Sequence, residues 1–278
     1  MTAAAGRRVL FVHAHPDDES ITTGGSIARY AAEGAHVTVV TCTLGEEGEI
    51  IPAELAELGS WAGDQLGGYR AGELAAAGRA LGWTEHRYLG GIGRWRDSGM
   101  AGTPSAEHPR AFARGDADDQ TGQLLAILDE LRPEVLVTYD AHGGYGHPDH
   151  IRAHEITTAA FRRAGHVSRL FHTVTSRAAT MRGLAALRRD PPPRLRVPAD
   201  DELPTTPDDG ITTRVDVTAH REAKFAALRA HATQVSVVGE CFALSNEIAQ
   251  PVPDTEYYVL ADGPRADADT DLFGGLRP

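Results

Sequence analysis

The chain has 278 residues, 41% hydrophobic and 24% charged, with a formal net charge of −12. Those shares suit a globular protein with a sizeable core, and the negative balance speaks against nucleic acid or an anionic membrane as partner, since both ask for a basic footprint. No stretch approaches the roughly 18 consecutive apolar residues of a membrane span, and the apolar run after Arg8 stops at His13, too short for a signal-peptide core. The expectation is a cytoplasmic protein whose two cysteines, Cys42 and Cys241, lack CxxC partners and are buried thiols.

Short β-branched runs at 8–14, 36–41 and 134–139 read as buried strands. Helical patterns lie at 25–33, 61–81, 120–131 and 148–164, the last opening on Pro148, where a helix tolerates proline. This β-α-β-α order predicts an α/β fold: a mostly parallel, Rossmann-like sheet with helices on both faces, in one domain spanning 1–278. Ligands of such sheets sit at the carboxyl ends of the strands. From about residue 177 the pattern is less regular. A strand is expected at 170–174, a surface loop at 191–209, a helix at 217–231 and a loosely ordered tail after Ala261.

Two polar clusters fall at predicted strand ends. "HAHPDDES", His13 to Ser20, crowds two imidazoles and three carboxylates into one turn, and "HGGYGHPDH", His142 to His150, repeats the His-Pro-Asp arrangement. So many ionisable groups repel or desolvate one another unless a cation sits among them. Two imidazoles and one carboxylate, with a fourth position open to water, form the donor set of hydrolytic zinc sites. If the two strands are neighbours, both loops face one crevice. Asp17 and Asp18, being adjacent, point in different directions, so one can bind metal while the other takes a proton from water.

Blander readings compete with these. Glu19 suits the N-terminus of the following helix, His13 suits packing, His142 is spare, and His154 makes an HxxxH pair with His150 that lacks a zincin glutamate. Tyr145 is either a loop aromatic or part of the site. "TGGSIARYAAEG" suggests a phosphate-binding helix start, but it has neither GxGxxG nor GxxxxGK[ST]. A binding module that holds a sugar without turning it over is a further alternative.

"AHPDDE" (Ala14 to Glu19) together with "HPDH" (His147 to His150) resembles the PIG-L/LmbE-like metal-dependent deacetylases. "TCTLGEEGEI", "DQLGGYRAGEL", "GRWRDSGMAGT", "YGHPDH", "RAHATQV" and "ALSN" extend the likeness over most of the chain. It is nearest to the branch acting on N-acetylglucosaminyl-inositol in mycothiol biosynthesis. The sister branch of mycothiol S-conjugate amidases typically has a lysine just after the first motif, where Ile21, Thr22 and Thr23 stand here. The resemblance implies that His15, Asp18 and His150 hold Zn²⁺, with Fe²⁺ also accepted by such donors. It implies Asp17 as general base, His147 as general acid or partner of the oxyanion with Asp149 behind it, and Tyr145 polarising the carbonyl. Arg70 and Asp97 would bind the inositol end of a small sugar-inositol substrate.

Overall fold

The computed structural model describes residues 4–276. Five parallel strands, β1 (Arg8–His13), β2 (His36–Thr41), β3 (Glu85–Tyr88), β4 (Val135–Tyr139) and β5 (Arg169–Val174), join β6 (Thr213–Asp216) and β10 (Thr255–Asp262) in one seven-stranded sheet. The order is β3-β2-β1-β4-β5-β10-β6, with β10 antiparallel to both its neighbours. A second, three-stranded sheet contains β7 (Ser236–Val238), β8 (Cys241–Ala243) and β9 (Gln250–Pro251).

Side chains of β1 alternate between two apolar layers, as a pleated strand covered on both faces requires. Val9 and Phe11 pack with α2 (Gly24–Ala32), α3 (Leu66–Leu81) and α8 (Arg221–Ala230). Leu10 and Val12 pack with α4 (Ala117–Leu131) and α6 (Pro148–Ala164). Truncating a buried ring such as Phe11 to alanine would cost about 3–5 kcal/mol. From β1 the chain steps outward to β2 and β3, then returns to lay β4 on the opposite flank of β1. That reversal opens a crevice outside the carboxyl ends of β1 and β4, where the two polar clusters emerge.

Several expectations shift. The helix placed at 25–33 is preceded by a short α1 (Asp18–Thr22), with Thr23 between the two. The helix placed at 61–81 starts at Leu66, because Gly63 and Asp64, whose φ is 50°, form a turn. The edge strand β3, "EHRY", is half-buried along its length and too short and polar to announce itself. In the irregular region α7 (Arg177–Arg189) forms, capped by Ser176 Oγ accepting from the Ala179 amide. The tail is not loose: the fully buried Arg169 guanidinium donates to the carbonyls of Pro264, Ala266 and Leu272, and Leu272 and Phe273 join the core. Both cysteines are buried and unpaired.

Candidate active site

The loop after β1 is held by hydrogen bonds that leave little freedom. The Ala14 amide donates to the Tyr139 hydroxyl (2.8 Å), which donates to Asp18 Oδ2 (2.7 Å); the His15 amide donates to the same oxygen (2.9 Å). Tyr139 ends β4, so one phenol stitches the two strand ends together. Its role is invisible in sequence, where it reads as the last residue of a strand.

The second cluster is set by α6. His147 caps that helix, its Nδ1 accepting from the Asp149 amide (3.1 Å), and Pro148 starts the first turn. His150 then sits within that turn with Nδ1 3.2 Å from the Gly143 carbonyl, which turns Nε2 toward the first cluster. Gly143 belongs to the short, kinked α5 (Gly143–Gly146), has φ 66°, and a Cβ there would lie 2.8 Å from that of His150. Only glycine fits.

His15 Nδ1, Asp18 Oδ2 and His150 Nε2 form a near-equilateral triangle with sides of 3.3, 3.4 and 3.4 Å. Two atoms bound to one tetrahedral ion at the usual zinc distances lie about 3.3–3.4 Å apart, so this donor set fits such an ion. Candidate ligand atoms of His15, His147 and His150, and of His15, Asp97 and Asp149, also lie within 4.8 Å of one another. In the second of these groups His15 turns its Nε2 to Asp149 Oδ2 (3.3 Å) and Asp97 Oδ1 (3.4 Å). A carboxylate on the far nitrogen of a metal-binding imidazole orients the ring and raises its basicity. The triangle is the most compact of these donor sets, and Asp97 and Asp149 flank the far nitrogen of its His15.

The charges follow from these contacts. Burial pushes the His15 imidazolium down, but the carboxylates of Asp97, Asp149 and Asp18 outweigh it and hold its pKa well above the ordinary histidine value. Asp18, despite its burial, is held well below the carboxylate range by His150 and His15. Asp17 behaves in the opposite way: burial raises it to about 6, against the pull of Arg70. Burial together with the neighbouring His15 and His150 lowers His147 to about 3, so it rests as a neutral imidazole whose Nε2 carries the hydrogen.

Tyr145 is 54% exposed, its ring centroid 5.0 Å from that of His150 and 6.0 Å from that of His147, so it overhangs the cluster. Asp149 does not stand behind His147 as expected: its carboxylate faces His15 and the Ser98 amide (2.9 Å), and only its main chain meets His147. Arg70 and Asp97 are neither surface charges nor a subsite apart from the cluster. Arg70 lies 3.0 Å from Asp17 Oδ2 and donates to the carbonyls of Gly45 and Pro16, whereas Asp97 accepts from the Gly99 amide beside His15.

Other residues take different places. His13 is packed, its Nε2 2.9 Å from Thr23 Oγ1, and burial lowers it to about 4. His142 is exposed, and His154 turns to the Tyr139 carbonyl and the His172 ring. Glu19 is not a solvated helix-terminal charge; it is fully buried, pairs with His231 Nε2 (2.8 Å) and accepts from the Asp17 amide (3.0 Å). The phosphate-binding alternative is closed by the chain itself. The Gly25 and Ser26 amides at the start of α2 donate to the Glu256 carboxylate (2.8 and 2.7 Å), which Lys224 neutralises at 2.7 Å.

The PIG-L family model, described as GlcNAc-PI de-N-acetylase, matches residues 10–161. A 1D-myo-inositol 2-acetamido-2-deoxy-α-D-glucopyranoside deacetylase of Saccharomonospora viridis is 75% identical over 96% of this chain and 100% of its own length. The chain belongs to the PIG-L family. Among solved structures, N,N'-diacetylchitobiose deacetylase of Pyrococcus horikoshii covers 82% of this chain and 70% of its own at TM-score 0.52 and 21% identity. The 4-carboxy-2-hydroxymuconate hydratase of Pseudomonas putida covers 93% and 97% at TM-score 0.58 and 18% identity. The last two share the fold alone, and one of them is named for chemistry other than deacetylation. A fold shared by proteins named for different chemistries does not by itself decide the reaction. None of the described helices is long and apolar enough to cross a membrane.

Proposed function

We propose that the protein is a zinc-dependent deacetylase that releases acetate from 1D-myo-inositol 2-acetamido-2-deoxy-α-D-glucopyranoside, a step of mycothiol biosynthesis. The observation that carries the substrate is the 75% identity, over the relative's whole length, to a protein named for that activity. His15, Asp18 and His150 would hold the ion, and their spacing supports this. Fe²⁺ suits the same donors. A divalent ion there supplies Lewis acidity, polarising the acetyl carbonyl and acidifying water.

The chain's own groups do the rest. Asp17, with a pKa near 6, takes a proton from the attacking water as the oxygen bonds to the acetyl carbon, and gives it to the amine nitrogen as the C–N bond breaks. His147 presents Nε2–H to the oxyanion that develops on that carbon, and the Tyr145 hydroxyl donates from the exposed side. Arg70 steadies Asp17, Asp97 and Asp149 steady His15, and Arg70 and Asp97 would also meet the inositol hydroxyls.

The test incubates metal-loaded protein with the sugar-inositol and, separately, with a mycothiol S-conjugate, and measures acetate and free amine. Acetate from the first substrate is expected. Cleavage of the conjugate alone would place the protein in the amidase branch instead.

A further inference from the structure

We propose that Glu19, held by His231, is a positioning residue for Asp17: its carboxylate fixes the strained main chain that aims the base at the reacting water. The inference rests on the hydrolase reading above and deepens it.

Asp17 has φ 124° and ψ −32°, a left-handed backbone that a residue with a Cβ rarely adopts. Such strain persists only where the surroundings over-determine it, and it gathers at functional sites. Two grips are present. Arg70 holds the Asp17 side chain, and Glu19 Oε2 accepts from the Asp17 amide at 3.0 Å. The other Glu19 oxygen accepts from Ser20 Oγ (2.6 Å) and meets His231 Nε2 (2.8 Å). Both members of this pair are fully buried.

The anchor is remote from the metal cluster in the chain, at the end of α8. His231 opens a turn in which the Thr233 amide and hydroxyl donate to Glu73 on α3 (2.8 and 2.7 Å), and the Thr233 carbonyl accepts from the Ile51 amide (2.9 Å). The C-terminal part of the chain thereby reaches across the fold and holds the main chain of the base. Asp18 Oδ2 is held separately by the Tyr139 hydroxyl and the His15 amide, so removing Glu19 should leave the metal seat in place and act chiefly on Asp17.

The test measures kcat, KM, bound metal and thermal midpoint on the sugar-inositol for metal-loaded wild type, Glu19→Ala, Glu19→Gln, Asp17→Asn and the double variant Asp17→Asn/Glu19→Ala. Glu19→Ala should lower kcat by about 100-fold, the scale of a misplacement near 1 Å, with KM and metal content unchanged. Glu19→Gln keeps an acceptor for the Asp17 amide and should recover most of the rate. The double variant should be no slower than Asp17→Asn alone, because Glu19 acts through Asp17. If Glu19→Ala does not fold, His231→Gln, which loosens Glu19 without opening a large cavity, carries the same comparison in both Asp17 backgrounds. Near-normal kcat, or a loss that multiplies in the Asp17→Asn background, would overturn the inference and leave the hydrolase reading standing. A metal-loaded wild type that releases no acetate overturns both.

Discussion

The loops after β1 and β4 carry nearly the same His-Pro-Asp signature, yet they are built in opposite ways. The first is buried at every position from His13 to Ser20 and tied to Tyr139, Arg70 and His231 by side chains distant in sequence. The second contains three glycines with positive φ, Gly143, Gly144 and Gly146, and leaves Tyr145 in solvent. The first loop presents His15, Asp17 and Asp18 from a buried, cross-braced stretch, whereas the second presents His150 from a helix start and Tyr145 from a glycine-rich turn in solvent. Likeness of motif thus conceals a division of labour.

The largest losses are expected at the triangle of His15, Asp18 and His150. His15→Ala, Asp18→Ala and His150→Ala should each lose nearly all bound metal and turnover, since a three-ligand site cannot spare one; metal analysis of the purified variants checks it. A full equivalent of metal in all three would place the ion elsewhere. Asp17→Asn should next keep its metal but slow kcat by roughly 10²–10⁴-fold, the usual contribution of a positioned base.

Asp149→Asn probes the support behind His15. Metal affinity should weaken by about 10–100-fold, measured by chelator competition, while turnover at saturating metal falls less. In the glycine-rich loop, Gly143→Ala meets both a clash and an unfavourable φ, and should destabilise by more than about 1 kcal/mol in denaturant unfolding.

The smallest effect lies outside both loops. Burial lowers His172 to about 4, so between pH 6.5 and 4 the unfolded chain binds the extra proton and stability falls as pH falls. His172→Phe should flatten that slope in denaturation curves taken between pH 7 and 5, leaving stability at pH 7 nearly unchanged.

The parallel core, and the meeting of the two polar clusters at the strand ends, were legible because each depends on local pattern. Strands buried on both faces spell themselves as β-branched runs, and a crowded set of carboxylates and imidazoles at two strand ends marks the crevice between them. What sequence could not supply was partnership at long range. Glu19 looks like a helix-end charge until His231 arrives beside it, Tyr139 looks like a strand end until it bonds Asp18, and Asp149 is drawn to His15 although it is nearer in sequence to His147. The edge strand β3 and the packed tail were missed for a related reason: half-buried or polar segments are ordered by what they meet, as Arg169 orders residues 264–272.

The carboxylate of Glu256 at the start of α2 bears on which ligands the fold can accept. In doubly wound sheets that helix end is a ready seat for phosphate. Here the occupant is tethered to the chain, so a free phosphate has to displace an intramolecular group that is already bound. Displacing it would also strand Lys224, which is buried against it. A phosphorylated sugar competes there on unequal terms, whereas an uncharged acetamido sugar has no use for the seat and loses nothing by finding it filled.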